Sequence, residues 1–381
     1  MKQQKPIGFS QKRCKKIMED LDLDLLIAST PENAFYCSGL PTTVNAPNPI
    51  LYVLKNQYPY FVLINREGEE FLIHWDMYRS ANLFSWIENC KGITSPKESL
   101  RAIFRQIKSW GVREGKIGLE SLLPRYVADF IYGKCPDATI DAKSGDKAFT
   151  EMRLIKTEEE VKRIKKSTEV AEKAIMACID ASKEGITDSK LLQIARKTMV
   201  NASQDVWGWD HLTMNVGYSD PEAPGQGIKM KTSDLSRFDF GAVYKGYVSD
   251  VSRQMVLGEI PNGVGEAYDR MLKMQNFALD NIKAGVIAND LNKESAEYYK
   301  TMAPEGMHFV IAHTIGLETE EMHMFGPTQS QNRPFEENMV LDVEVWEHVE
   351  NWGLVGVEDC YRVTKGGVER LSSLDREIFI R

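Results

Sequence analysis

The sequence predicts an α/β amino-terminal domain followed by a larger α+β domain whose pseudo-twofold antiparallel sheet has helices on one side. Three observations lead there. The chain has 381 residues, which is long for one hydrophobic core and favours two domains. Its texture changes near residue 150, from short apolar runs to long amphipathic helices and hairpins. The second part also repeats its own order of elements.

In the first part, DLLIAS, ILYVL, YFVLI and EFLIH are apolar runs of strand length. ESLRAIFRQIKSW has helical periodicity, and KIGLE reads as another strand. Strands alternating with helices make a small layered α/β structure. It contains no phosphate-cradling glycine loop and no nucleophile elbow. The boundary is placed at about 150 to 156, in TEMRLIK, giving domains of residues 1–153 and 154–381.

The second part opens on a capping box, in which Thr157 accepts from the Glu160 amide and the Glu160 side chain reaches back. Val161, Ile164, Ala171, Ala174, Ile175 and Cys178, mostly three or four residues apart, predict a long helix ending near Gly185. KEGI at 183–186 and KAGV at 283–286 each precede a shorter helix, DSKLLQIARKTM and LNKESAEYYKTM. Each helix pair is followed by hairpins, RFDFGAVYKGYVSDVSRQMVLG and ENMVLDVEVWEHVENWGLVGVEDCYRV. Two similar halves would pack their sheets about a shared centre.

Composition narrows the function. The formal charge of −8 argues against a nucleic-acid partner. The N-terminus has no apolar core of signal-peptide length, and no run approaches the roughly 20 apolar residues of a membrane span. Six cysteines are scattered without a CxxC pair, which suits a reducing cytoplasm and not a zinc–thiolate site.

Four carboxylates lie on the hairpins. A turn centred on Tyr244-Lys245 would set Asp239 and Asp250 directly opposite each other on one face. Their neighbours Phe238, Phe240, Val248 and Val251 are apolar, so two facing carboxylates would be costly unless a cation lay between them. A second turn near residue 351 would bring Glu344 and Glu358 together. Asp342, Glu347 and Asp359 are nearby alternatives, expected to point outward or to support the site from behind. His313, after the apolar run FVIA, would face inward from a strand end. Asp239, Asp250, His313, Glu344 and Glu358 make an oxygen-rich, one-nitrogen set that suits Mn²⁺, Co²⁺, Fe²⁺ or Zn²⁺. A metal pair in such a set can activate water and polarise a carbonyl.

These segments resemble the "pita-bread" metallopeptidases of family M24, which include methionine aminopeptidase, aminopeptidase P and prolidase. DFGAVYKGYVSD is similar to D-x-G-a-x-x-x-G-Y-x-S-D, HTIGLE to H-G-x-G-L-E, ENMVLDVE to G-M-V-x-x-x-E, and GVEDCYRVT to R-x-E-D-x-x-x-V-T. LDLDLLIASTPENAFYCSG, KIGLE and EMRLIKTEEEVKRIKKS resemble the creatinase-type amino domain, so the likeness covers nearly the whole chain. It implies a pita-bread catalytic domain in which Asp239 chelates one divalent ion, Asp250 and Glu358 bridge two, and His313 and Glu344 hold the second. Manganese is the expected metal, with zinc, cobalt or iron as alternatives. A homodimer is implied as well.

The match departs from the family at two histidines that orient substrate. One belongs in a P-H step, where this chain has Gly225 and Gln226 in EAPGQGIK. The other belongs seven residues after the ligand histidine, where Glu320 stands, followed by Glu321. His323 is a displaced candidate for that role, Glu320 or Glu321 an alternative lining, and His211 in WGWDHLTMNVG a candidate for the other. Read alone, His211 is a hydrogen-bonded strand histidine. Trp207, Trp209 and Trp346 are candidate pocket walls. The resulting expectation is a cytoplasmic metal-dependent hydrolase cleaving an amide bond in an Xaa-Pro-like dipeptide or short peptide. The alternatives are a relative acting on a non-peptide small molecule, as an amide hydrolase or a dimethylsulfoniopropionate-type lyase, and a non-catalytic binding protein of the same fold.

Overall fold

The structure, a computed structural model, describes residues 5–42, 59–76, 84–205, 207–218, 225–303 and 305–381. The chain divides into two compact units, Met1–Leu154 and Ile155–Arg381.

The first unit runs α1 (Gln11–Asp20), β1 (Leu25–Ala28), α2 (Pro31–Ser38), β2 (Phe61–Asn65), β3 (Glu70–Trp75), β4 (Cys90–Ile93), α3 (Pro96–Ser109), β5 (Lys116–Leu119), α4 (Arg125–Lys134), β6 (Thr139–Asp141) and α5 (Ala142–Leu154). Its six described strands form a mixed sheet ordered β4-β3-β2-β1-β5-β6. β1 and β2 are buried at every position, which is why DLLIAS and YFVLI read as continuous apolar runs and do not alternate. The glutamate of KIGLE, Glu120, is buried and accepts from Thr30 N (2.9 Å), Thr30 Oγ1 (2.5 Å) and Asn33 Nδ2 (2.7 Å), tying β5 to the start of α2. The ILYVL run lies outside the described residues.

The second unit runs α6 (Glu158–Ala181), α7 (Asp188–Ser203), β7 (Trp209–Val216), β8 (Leu235–Tyr244), β9 (Tyr247–Val248) and β10 (Val251–Val256), then α8 (Val264–Asn281), α9 (Ala288–Lys300), β11 (His308–Thr314), β12 (Met322–Phe325), β13 (Val340–Val349), β14 (Gly353–Val363), β15 (Val368–Arg370) and β16 (Phe379–Ile380). The Thr157–Glu160 capping box is formed in both directions. α6 stops at Ala181, short of Gly185, because the backbone turns extended at Ser182 (φ −65°, ψ 128°); Gly185 then takes a left-handed turn (φ 81°) leading into α7. Gly285 does the same (φ 96°) ahead of α9. The main sheet order is β12-β11-β13-β14-β10-β8-β7, so β10, β8, β7 and β14, β13, β11 spread outward from the centre in matching order.

Strict alternation places the chemistry. Phe238 and Phe240 on β8, Met214 on β7 and Val251 on β10 pack into a core with Ala171, Ile175 and Cys178 of α6 and Leu191 and Met199 of α7. The residues between them, Arg237 and Asp239, therefore face the other side of the sheet.

Candidate metal centre

The first hairpin corrects the expected register. Lys245 and Gly246 both have positive φ (49° and 87°), and Tyr244 pairs with Tyr247, so the turn is a two-residue loop one position later than expected. Asp239 is therefore opposite Ser252, not Asp250. A shift of two keeps the parity of the pleat, so Asp250 still shares Asp239's face, diagonally placed. The second hairpin turns through Asn351 (φ 69°), and Glu344 and Glu358 are direct cross-strand partners.

The registers assemble a row across six strands: Thr213, Asp239, Ser252, Glu358, Glu344 and Ile311. The adjacent row on the same face holds His211 opposite Gly241 at one end, and Cys360, Asp342 and His313 at the other. Asp250 enters β10 between them. The row on the opposite side holds Arg237, Gln254, Gly356 and Trp346.

Two groups of side chains bring three ligand-type atoms within 4.8 Å of one another: His211, Asp239 and Asp250; and Asp250, His313 and Glu358. They share Asp250. His211 Nε2 stands 3.0 Å from Asp250 Oδ1 and 3.5 Å from Asp239 Oδ1. His313 is 1% exposed, with Nε2 at 3.6 Å from Glu358 Oε1. Glu344 adjoins Glu358 and accepts from Trp346 Nε1 at 2.6 Å. Asp239 Oδ2 accepts from Arg237 Nη2, while its buried Oδ1 has no hydrogen-bond partner among the described residues.

The electrostatics bear on what the cluster can hold. Burial, and repulsion among Asp250, Glu344, Asp239 and Asp342, push the Glu358 carboxyl well above the ordinary carboxylate range. Asp250 and Glu344 are raised by burial too, opposed in part by His211 and His313 respectively. Asp239 goes the other way: burial would raise it, but Arg237 and His211 hold it below its usual value. Burial disfavours a charged His211, yet Asp250, Asp210 and Asp239 around the ring raise its pKa well above the usual value. Converging carboxylates that resist ionisation without a countercharge, each group with one imidazole, are a donor set suited to divalent first-row cations.

Other expected residues sort as follows. Asp342, expected to point outward or to support the site, is fully buried on Glu344's own face, and burial and Asp250 raise its carboxyl well above the ordinary range. The alternation V-L-D-V-E already placed it there, two positions before Glu344. Glu347 pairs with Arg270 Nε at 2.9 Å, and Asp359 with the buried Arg253 at 2.6 Å, both away from the cluster. His323 is the cross-strand partner of His313, with ring centroids 5.8 Å apart, and its Nε2 is 2.7 Å from Glu320 Oε2. Glu321 is taken up elsewhere, with Lys156 Nζ at 2.6 Å and the Leu317 amide at 2.9 Å. The amides of Gln226 and Gly227 bond to Asp188 at 2.6 and 2.8 Å, tying that loop to the start of α7. Of the tryptophans, Trp346 adjoins the cluster, while Trp209 packs with the core on the helix side and beneath Arg196. Arg237 was missed, although its place two residues before Asp239 puts it on the same face.

A carboxylate and imidazole cluster of this kind, at the centre of a twofold-repeated antiparallel sheet, has the donor set of a divalent-metal protein. The chain belongs to metallopeptidase family M24, whose description it matches over residues 162–365; residues 11–155 match the creatinase/prolidase N-terminal domain. It is a metal-dependent peptidase. It is 27% identical over 384 residues to the Xaa-Pro dipeptidase of Pyrococcus horikoshii, covering 98% of this chain and 100% of that one. It is 24% identical over 368 residues to the Xaa-Pro dipeptidase of Lactobacillus delbrueckii subsp. lactis, covering 95% and 96%. The crystal structure of the prolidase from Pyrococcus horikoshii superposes with a TM-score of 0.78 at 25% identity, over 97% of this chain and 99% of that chain. Among the described residues no helix is long and apolar enough to cross a membrane.

Proposed function

We propose that the protein hydrolyses the amide bond of an Xaa-Pro dipeptide or short peptide at a centre of two divalent cations, with manganese the expected ion. The observation that carries this reading is the sharing of Asp250 by two groups, each with its own histidine. When bound, such a pair activates water and polarises the amide carbonyl. In this proposal Asp239 would hold the first ion, His313 and Glu344 the second, and Asp250 and Glu358 would bridge them; the sharing of Asp250 by both groups and the pairing of Glu344 with Glu358 support it. Trp346 fixes one Glu344 oxygen through its indole N–H, so the carboxylate is held before anything binds. His323, beside His313 and steadied by Glu320, is the group placed to donate to the carbonyl oxygen as it gains charge.

The full-length likeness to two proteins named Xaa-Pro dipeptidase supports the substrate class. The second reading, a non-peptide substrate, is favoured by Gly225 and Gln226 standing where the resemblance places a histidine. Buried carboxylates that need a countercharge disfavour a metal-free binding protein. A panel of Xaa-Pro dipeptides, N-acylated amino acids and sulfonium compounds, assayed with Mn²⁺, separates these readings. Proline release supports the first, and turnover of only the other classes replaces it with the second. The unpaired cysteines, five of them buried, support a cytoplasmic location. A homodimer is part of the same proposal.

A further inference from the structure

We infer that His211 is a ligand of the first metal position and replaces an oxygen of Asp239 that Arg237 has taken. The inference rests on the two-metal reading above and concerns how this chain completes it. Arg237 is a buried guanidinium, 4% exposed, lying 4.2 Å over the Trp346 ring with Nη2 on Asp239 Oδ2. An aspartate held in this way has one oxygen engaged by the guanidinium, which disfavours chelation of a cation by both oxygens. Asp239 Oδ1 is the other oxygen, buried and without a hydrogen-bond partner among the described residues.

His211 Nε2 stands where the missing donor is needed. Its separations from Asp250 Oδ1 and Asp239 Oδ1, 3.0 and 3.5 Å, are those of atoms that can contact one ion. The ring is seated for that position. It lies over Gly241, where a Cβ would come within 2.4 Å of the imidazole, so only glycine leaves room for it. Its other nitrogen, Nδ1, is 3.4 Å from Asp210 Oδ2, and Asp210 is held in turn by the Thr319 hydroxyl. A carboxylate on the far nitrogen fixes the tautomer that presents Nε2 to a metal. His211 and His313 thus close one row of the sheet from its two ends, with Asp250 between them.

The test counts Mn²⁺ bound at equilibrium by the full chain, with electron paramagnetic resonance reporting exchange coupling between paired ions. Wild type is expected to bind two ions and show the coupled signal. His211→Ala, and His211→Phe, which keeps a ring over Gly241, should bind one ion at the concentration that saturates wild type, with the coupled signal lost. The affinity loss at that position should exceed the roughly 10–100-fold that follows loss of an outer hydrogen-bond partner. Arg237→Leu frees the second Asp239 oxygen, so adding it to His211→Ala should restore the second ion. Two ions bound by folded His211→Ala and His211→Phe with unchanged affinity would overturn the inference and leave the two-metal reading standing. Fewer than two in wild type would overturn both. Loss of both ions in the His211 variants would also overturn the inference, since it would move His211 away from the first position.

Discussion

Arg253→Met tests whether packing behind the sheet holds the metal ligands in place. Arg253 is fully buried, on the face opposite Glu358's partner Ser252. Its guanidinium donates to Asp359 Oδ1 at 2.6 Å and to the carbonyls of Glu358 (2.8 Å), Ser252 (2.8 Å), Asp375 (2.7 Å) and Leu374 (3.0 Å). It thus clamps β10, β14 and the C-terminal segment at the level of the shared carboxylates. Removing one partner of a buried pair costs about 3–5 kcal/mol. Asp359 keeps Arg370 Nη2 at 2.9 Å and Ser372 Oγ at 2.5 Å, so its charge is not stranded and the low end, about 3 kcal/mol, is expected. For a domain of this size that lowers the melting temperature of the second unit by roughly 6–12 °C. Calorimetry of metal-free protein would resolve that transition from the first unit's, and a Mn²⁺ titration should show weaker binding through displacement of Glu358. A loss under about 1 kcal/mol with unchanged metal affinity would show that the clamp does not set the ligand geometry.

Asp250→Ala and Glu358→Ala should each abolish two-ion occupancy, because both carboxylates are proposed to bridge the two positions; elemental analysis finding two tightly held ions in either would refute the assignment. His323→Ala should retain both ions and lower turnover by about 10²–10³, the usual effect of losing one donor to a developing oxyanion, and an unchanged rate would remove His323 from the mechanism. Burial raises Glu70 from 4.5 to about 7, against a hydrogen bond from Trp86. Between those values the folded state holds a proton the unfolded state has lost, so stability falls as pH rises through the window and stays lower above it. Glu70→Gln should remove that fall and stabilise the first unit at pH 8 by about 1–2 kcal/mol after allowance for partial exposure, and parallel pH profiles for the two proteins would contradict the shift.

Much of the site was legible because strands alternate and turns announce themselves. Glu344 and Glu358 could be paired from the sequence because the turn between them falls at residue 351. The first hairpin was placed one residue early because a turn centred on Tyr244-Lys245 ignores the left-handed backbone that Gly246 readily supplies. The error moved Asp239's partner from Ser252 to Asp250 yet left every side chain on its proper face. His211 was harder. Nothing local distinguishes a strand histidine that ends in the core from one brought against carboxylates; the pairing of β7 with β8 does, and it is long-range. Asp342 and Arg237 were legible in principle from their offset of two from Glu344 and Asp239. Asp342 already stands among the nearby alternatives; Arg237 is harder to single out, because a buried arginine is costly unless the surrounding site has a use for it.

The most direct measurement is proline release from an Xaa-Pro dipeptide as the metal-free enzyme is titrated with Mn²⁺. Bound metal would supply an activated nucleophile, while the histidine expected near Gly225 is missing; from an ordinary turnover of about 10 per second, one lost donor leaves on the order of 0.01–0.1 per second. Activity should appear with the metal, vanish on chelation and return on reloading. Hydrolysis indifferent to chelation, or fully loaded enzyme that releases no proline from any Xaa-Pro dipeptide, would contradict the account.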